Sequence, residues 1–210
     1  MHRQNLFVVG FLVIVFMALL AVGYSTGRGP IGVLSAGVAR LSKANGGTPA
    51  TLTAKDNAPT APELAPGEWI NSEPLTIIGL RGRVVLVDFW TFGCYNCRNT
   101  LPSIKDWDAR YREKGLTIVG VHSPEFAEEK KLEHLRSEVA SLGIHYPVVT
   151  DNDYATWRAY DVAAWPTIFV LDKKGRVRWT HVGEGAYDET EQIIQALLNE
   201  DDKQAVPLQN

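Results

Sequence analysis

Cysteine is scarce in this chain, which has only two among its 210 residues. Small domains that depend on disulfide bonds carry many more, so the hydrophobic core must hold this fold together. The two residues, Cys94 and Cys97, lie in the stretch DFWTFGCYNCRNTLP, which spans residues 88–102. Such a pair can close a structural bridge, bind a metal ion or exchange electrons with other proteins.

The chain also lacks an excess of positive charge. It has 21 lysines and arginines against 24 aspartates and glutamates, and its basic residues are scattered along the sequence. This distribution does not provide the basic surface that nucleic-acid binding requires. We find no glycine-rich phosphate loop and no Ser/His/Asp motif, so we expect no small-molecule cofactor.

Long apolar runs are rare as well, with one exception near the N-terminus. Residues 6–22 contain no charge and no proline, a length at the lower limit of the roughly 17–25 residues that span a bilayer. His2 and Arg3 precede the run and favour a cytoplasmic N-terminus. We predict that residues 1–23 form an uncleaved membrane anchor. The alternatives are a cleaved signal peptide, with small residues at Ala21 and Gly23, and a buried core helix.

The anchor determines where the remaining chain is expected to lie. With a cytoplasmic N-terminus, the rest is extracytoplasmic, in a periplasm or at the cell surface, where cysteines can cycle through a disulfide. Residues 24–66 are rich in Gly, Ala, Ser, Thr and Pro, a composition that predicts a flexible linker. Residues 67–200 form the expected globular domain, followed by a tail at 201–210.

Strand and helix patterns alternate within the predicted domain. Residues 83–90 and 116–122 are nearly continuous apolar runs, which is typical of strands buried on both faces. Helical spacing covers 97–114 and 125–142, and each segment ends at a glycine. Further along we predict a strand at 146–150, a short helix at 151–160, a hairpin of strands 167–172 and 176–182, and a helix at 188–200. This order predicts an α/β fold, a mixed central sheet with helices on both faces.

The positions of the two cysteines give them different chemistry. Cys94 lies at the predicted start of a helix, where unpaired N–H groups and the helix dipole stabilise negative charge. A free thiol has a pKa of about 8.5, which such a position lowers to roughly 3.5–7.5. Cys94 is therefore the better attacking thiolate, and Cys97, one helical turn further, is placed to resolve the mixed disulfide.

The sequence around the pair resembles the thioredoxin-like superfamily. VDFWTFGCYNC (87–97) matches the region of its CxxC motif, Pro102 matches the proline in its active-site helix, and AWPT (164–167) matches its cis-proline region. HSPEF (122–126) and GEGAY (183–187) are most similar to the extracytoplasmic domains of TlpA/DipZ-type thiol–disulfide oxidoreductases. The resemblance covers nearly all of the predicted domain and implies a thioredoxin-like fold.

The resemblance assigns a role to Asp88, which precedes Cys94 in an otherwise apolar strand. It matches the buried acid beneath the active site of the superfamily, which would pass a proton to or from Cys97. The alternative is an aspartate at a strand end that caps a neighbouring turn. Thioredoxin carries a lysine near this acid, whereas the strand TIVGV (117–121) has none, so we expect a different proton path.

The resemblance also implies a substrate-binding role for Trp165 and Pro166. A cis bond before Pro166 would place the proline over the sulfurs, exclude metal ions there and let the backbone of Trp165 pair with an extended substrate. The alternative is a trans bond in a plain turn. The side chain of Trp165 either belongs to the core or lines the substrate groove.

Other ionisable residues receive structural interpretations. Glu125, Glu128 and Glu129 begin a predicted helix and suit its dipole. The histidines of the domain have no spacing that would complete a metal site with CYNC, and we interpret each as a surface or hydrogen-bonded residue. They are His122, His134, His145 and His181.

These residues favour a membrane-tethered thiol–disulfide oxidoreductase that exchanges electrons with protein cysteines through Cys94 and Cys97. The resemblance to TlpA-type proteins implies a reductant fed by a membrane electron carrier. One alternative is a copper or apocytochrome maturation or delivery module, although copper carriers on this scaffold tend to have CxxxC spacing. The other is a passive domain whose structural disulfide would close a very short loop and stabilise little.

Overall fold

The computed structural model describes residues 52–200, in which strands and helices alternate. The strands are β1 (Trp69–Ile70), β2 (Val84–Trp90), β3 (Leu116–His122), β4 (Val148–Thr150), β5 (Thr167–Leu171) and β6 (Val177–Val182). The α-helices are α1 (Tyr95–Tyr111), α2 (Leu132–Ser141), α3 (Ala155–Ala159) and α4 (Tyr187–Leu198). Short 3₁₀ helices lie at Lys55–Asn57, Arg112–Lys114 and Ala127–Lys130.

The strands of this region form one sheet in the order β1-β4-β3-β2-β5-β6. β2 is hydrogen-bonded in parallel to β3 and antiparallel to β5. β4 is parallel to β3, and β1 and β6 pair antiparallel at the two edges. The predicted mixed α/β sheet is therefore confirmed, and β2 lies near its centre.

Strand β2 is buried along its whole length, as its apolar run predicts. Because side chains alternate across a strand, Leu86 and Trp90 join the core that includes residues of α1, α2 and α4. Val87 and Phe89 join the core on the other face, with α3 beside it. Asp88 shares the face of Leu86 and Trp90, which is the face that α1 covers.

Residues 52–61 lie along strand β6, although their composition predicted a flexible linker. The Thr53 N–H donates to Arg178 O at 2.9 Å, and the Val177 N–H donates to Pro59 O at 2.8 Å. The structure thus extends the domain to the N-terminal side of the predicted boundary. Backbone hydrogen bonds to a sheet edge are available to almost any sequence, so composition does not reveal them.

The helix predicted over residues 125–142 is divided in the structure. The 3₁₀ helix Ala127–Lys130 comes first, Lys131 is extended (φ -75°, ψ 116°), and α2 follows. The side chain of Glu129 turns back from this segment towards the end of β2. Such a long-range contact leaves no trace in the helical periodicity. Strand β1 was also not predicted, because two residues are too few for a pattern.

The predicted anchor at residues 1–23 and the tail at 201–210 lie outside the described residues. Between residues 52 and 200, no helix has both the length and the apolar character that crossing a membrane requires. The anchor therefore stays a prediction.

Candidate active site

The cysteine pair lies where β2 leads into α1. Residues 91–93 form a short loop after β2, and Cys94 caps α1 because its Sγ accepts a hydrogen bond from the Cys97 N–H at 3.2 Å. A disulfide bond joins the two residues, whose Cα atoms are 5.3 Å apart. Cys94 is half-buried, whereas Cys97 is only 2% exposed. The sulfur of Cys94 is therefore the one that a partner molecule can reach.

The start of α1 favours negative charge at Cys94. The helix is 17 residues long and has no acidic residue in its first turn. Its unpaired N–H groups and its dipole therefore stabilise a thiolate at the capping position once the disulfide is reduced. The predicted roles of Cys94 as the attacking thiolate and Cys97 as the resolving thiol fit this geometry and stay predictions.

Asp88 lies in the interior of β2, on the face that α1 covers. It pairs with Gly120 of β3 and Ile168 of β5, and it is 1% exposed. Its Oδ1 has no hydrogen-bond partner, and burial raises the pKa of the carboxyl to about 7. A group with this pKa can take up or release a proton at neutral pH. Because the strand continues to Trp90, Asp88 is not the turn cap that was the alternative.

Two further buried polar groups surround Gly120, the residue beside Asp88 on β3. A Cβ atom at Gly120 would lie 2.8 Å from Trp90 Nε1 and 3.2 Å from Tyr146 Cε2, so the two rings fill this space. Trp90 Nε1 and the Tyr146 hydroxyl are buried without hydrogen-bond partners, like Asp88 Oδ1. Burial, with a contribution from Asp88, raises the pKa of Tyr146. The rings of Trp90 and Tyr146 thus lie beside Gly120, in the strand that carries no lysine near Asp88.

The peptide bond between Trp165 and Pro166 is cis, as the resemblance implied. Pro166 directly precedes β5, whose first residue, Thr167, pairs with Phe89 close to the end of β2. The proline and the cysteine loop therefore lie at the same end of the two neighbouring strands, β5 and β2. Substrate binding by Pro166 stays a prediction.

The side chain of Trp165 is half-buried and packs against the core. Its ring lies against Trp157 with 4.4 Å between centroids, and its Nε1–H donates to Ser123 O at 3.0 Å. This packing fixes the tryptophan beside the cis bond. Its predicted contact with a substrate is not tested by the fold.

His122 is fully buried at the end of β3, so of the two alternatives, a surface residue or a hydrogen-bonded one, the structure excludes the first. Its Nε2 lies 3.2 Å from Thr91 Oγ1, and the ring of Phe92 stacks on it with 5.4 Å between centroids. Burial lowers the pKa of His122 to about 4, so the ring is uncharged at neutral pH. Its place in an apolar strand was the sequence signal for this burial.

Glu129 is the residue of the site that sequence reasoning did not identify. It is 4% exposed and accepts hydrogen bonds from Thr91 Oγ1 at 2.7 Å and from the Gly93 N–H at 3.1 Å. It also caps the helix Ala127–Lys130 through the Phe126 N–H at 3.1 Å, so the expected role at a helix start is only part of its function. A Cβ atom at Gly93 would collide with Glu129 Oε1, which explains the glycine.

A permanent metal site at the pair would need ligands besides two thiolates. Among residues 52–200, no group of three or more His, Cys, Asp or Glu side chains is arranged to hold a metal ion.

The raised pKa of Asp88 predicts a specific dependence of stability on pH. The pKa is 3.8 in an unfolded chain and about 7 in the fold, so between these values the folded protein binds more protons. The free energy of unfolding therefore falls as the pH rises from about 4 to about 7, by roughly 4 kcal/mol for this group, and levels off above that pH. Asp88→Asn should remove this loss, so that the variant gains on the wild type as the pH rises.

Urea unfolding at several pH values between about 4 and 8 measures the difference in the free energy of unfolding between the two proteins. Other groups with shifted pKa values contribute equally to both proteins and cancel in this difference. Asp153→Asn, at an exposed aspartate, is the control and should follow the wild type. Parallel curves for Asp88→Asn and the wild type would contradict the raised pKa.

Known proteins are similar to this chain in sequence and in fold. A family model described as Redoxin matches residues 58–198. Protein DipZ of Mycobacterium bovis is 39% identical over 173 residues, covering 80% of this chain and 24% of that protein. Thiol-disulfide oxidoreductase YkuV of Bacillus subtilis is 26% identical over 141 residues, covering 66% of this chain and 94% of that protein. A thiol-disulfide isomerase structure from Corynebacterium glutamicum has a TM-score of 0.63 at 29% identity, covering 70% of this chain and 99% of that one.

The chain spans about a quarter of the length of the DipZ proteins that it matches. The Redoxin match, in contrast, contains the buried acid, the cysteine pair and the cis-proline in a single region. The matched region covers more than half of the chain. The chain belongs to the Redoxin family and has a thioredoxin-like fold.

Proposed function

We propose that this chain is a thiol–disulfide oxidoreductase that reduces disulfides of protein substrates through Cys94 and Cys97. The observation that carries the proposal is the difference between the two sulfurs: Cys94 caps α1 at the surface, and Cys97 is buried on the side of the sheet where Asp88 lies. YkuV, whose name states a thiol-disulfide oxidoreductase, is similar over most of its length, which supports the same chemistry here.

The reaction proceeds in two exchanges. The Cys94 thiolate attacks one sulfur of a substrate disulfide, which forms a mixed disulfide and releases the other substrate sulfur as a thiolate. Cys97 then gives its proton to Asp88, and its thiolate attacks the Cys94 sulfur. The Cys94–Cys97 disulfide forms, and the second substrate sulfur leaves and takes up a proton. The enzyme thereby loses two electrons, and the substrate gains them as one thiol and one thiolate, which takes up its proton from water.

The surface around Cys94 is suited to a protein substrate. Tyr95 directly follows Cys94, and its side chain is 77% exposed. Phe126 is 60% exposed, and its N–H donates to the same Glu129 carboxylate that binds the Gly93 N–H of the cysteine loop. Exposed aromatic side chains beside a reactive group favour contact with another macromolecule. The cis bond at Pro166 lies at the same sheet edge and leaves the backbone of Trp165 as a partner for an extended segment.

The direction of electron flow and the location complete the proposal. The resemblance to TlpA-type proteins supports a reductant that receives electrons from a membrane carrier. The apolar run at residues 6–22 supports a membrane tether, with the domain on the extracytoplasmic side. The substrates would then be exported proteins that contain cysteines.

Single cysteine variants test the chemistry. Reduced Cys97→Ser should form a stable mixed disulfide with a peptide that contains one disulfide, because Cys94 can attack but nothing resolves the product. Cys94→Ser should form little, because the remaining thiol is buried. Mass spectrometry after acid quenching detects the adduct.

The competing functions give different results in the same experiment. A copper-delivery module would lose copper binding in both variants and form no adduct. A passive domain would keep its wild-type disulfide under mild reduction and form no adduct either. The absence of an adduct with reduced Cys97→Ser would therefore reject the proposed chemistry.

The tether predicts how the full-length protein fractionates. Cells that express it should retain it in membranes after carbonate washing, whereas a variant without residues 1–23 should not be retained, because the apolar run is the predicted anchor. Immunoblotting and N-terminal sequencing provide the measurement. A mature protein that starts near residue 24 in the soluble extracytoplasmic fraction would reject the anchor.

A further inference from the structure

We propose that Glu129 is a positioning residue for Cys94 that stabilises the disulfide relative to the dithiol and thereby makes the pair more reducing. This inference rests on the proposed thiol–disulfide exchange and assigns a residue that sets its equilibrium. Glu129 is far from the pair in sequence, and its side chain reaches the pair through the loop at residues 91–93.

The carboxylate fixes the backbone that leads to Cys94. Its Oε2 accepts the Thr91 hydroxyl at 2.7 Å, and its Oε1 accepts the Gly93 N–H at 3.1 Å. The Cys94 N–H in turn donates to Thr91 O at 3.3 Å. Two of the three loop residues before the cysteine are thus bound directly to one side chain.

The same carboxylate is anchored on its other side. Its Oε2 accepts the Glu125 N–H at 2.6 Å and the Phe126 N–H at 3.1 Å, in the segment that follows β3. Together with Thr91 and Gly93, four donors converge on its two oxygens. A carboxylate has only acceptors and satisfies this set, whereas an amide would turn an NH₂ group towards some of the donors. The position therefore selects for a negative charge.

Within residues 52–200, neighbouring groups do not neutralise that charge. The Thr91 hydroxyl gives its one hydrogen to Glu129, so the contact with His122 Nε2 requires an N–H on the ring, which is uncharged at neutral pH. Arg98 in the first turns of α1 is paired with Glu138 at 3.1 Å. The other ionisable group beneath the pair, Asp88, is itself an acid.

Two consequences of this arrangement act in the same direction. A fixed loop holds the Cys94 sulfur near Cys97, and proximity raises the effective concentration of one thiol for the other. The negative charge of Glu129 lies next to Gly93, the neighbour of Cys94. It disfavours a thiolate at Cys94 and hence the reduced form of the pair. Both effects favour the disulfide, so the loss of Glu129 should make the pair easier to reduce.

The test uses the full chain in detergent micelles, equilibrated with buffers of reduced and oxidised glutathione at neutral pH. The dithiol fraction is measured by alkylation and mass spectrometry. In Glu129→Gln, the equilibrium constant for disulfide formation should fall about tenfold, which raises the midpoint potential by about 30 mV. Glu128→Gln is the matched control, because it removes the same charge from an exposed neighbour whose partner within residues 52–200 is Lys131 at 2.6 Å. It should match the wild type.

A second variant keeps the inference testable if Glu129→Gln does not fold. Thr91→Val retains the charge of Glu129 and removes one of its donors, so a shift of about threefold in the same direction reports on the position of the loop. Folded variants with the wild-type equilibrium constant would overturn the role of Glu129. An equal shift in Glu128→Gln would show a general effect of charge and would overturn it as well.

The same titration keeps this inference separate from the proposed function. A wild-type pair that remains reduced when oxidised glutathione predominates would contradict the proposed reductant. The ratio between variant and wild type would still decide whether Glu129 sets the equilibrium.

Discussion

The burial of a carboxyl group in the central sheet is the constraint on which the site depends. Asp88 is enclosed on all sides, and its Oδ1 has no partner, so ionisation places a charge in the core and raises the pKa to about 7. An apolar residue at this position would make the domain more stable. The acid instead places an ionisable group on the face where α1 carries Cys97, and functional sites are where such destabilising groups are expected.

Strand β2 brings the remaining parts of the site to this acid. It leads directly into the loop and the helix start at Cys94. On one side β5 places Pro166 at the same sheet edge, and on the other β3 ends at His122, beneath the loop. Glu129 joins the segment after β3 to the loop. The position of the Cys94 sulfur therefore depends on three adjacent strands, and all three lie outside the CxxC motif.

The sequence predicted the elements that have a local pattern. Buried strands were recognised from continuous apolar runs, and the helix start at Cys94 and the cis bond at Pro166 followed from motifs. Contacts between distant segments were not predicted. The position of residues 52–61 depends on hydrogen bonds to β6. The carboxylate of Glu129 reaches a loop 36 residues away from it in sequence. Neither contact produces periodicity or a characteristic composition.

The central claim is that Asp88 takes the proton of Cys97 in the second exchange. Rapid-mixing kinetics of Asp88→Asn with a disulfide peptide test it, since formation and resolution of the mixed disulfide can be followed separately by acid quenching. The account predicts that resolution slows by about tenfold or more at neutral pH, the effect expected on losing a general base, while the attack by Cys94 keeps its wild-type rate. Equal resolution rates in the variant and the wild type would contradict it.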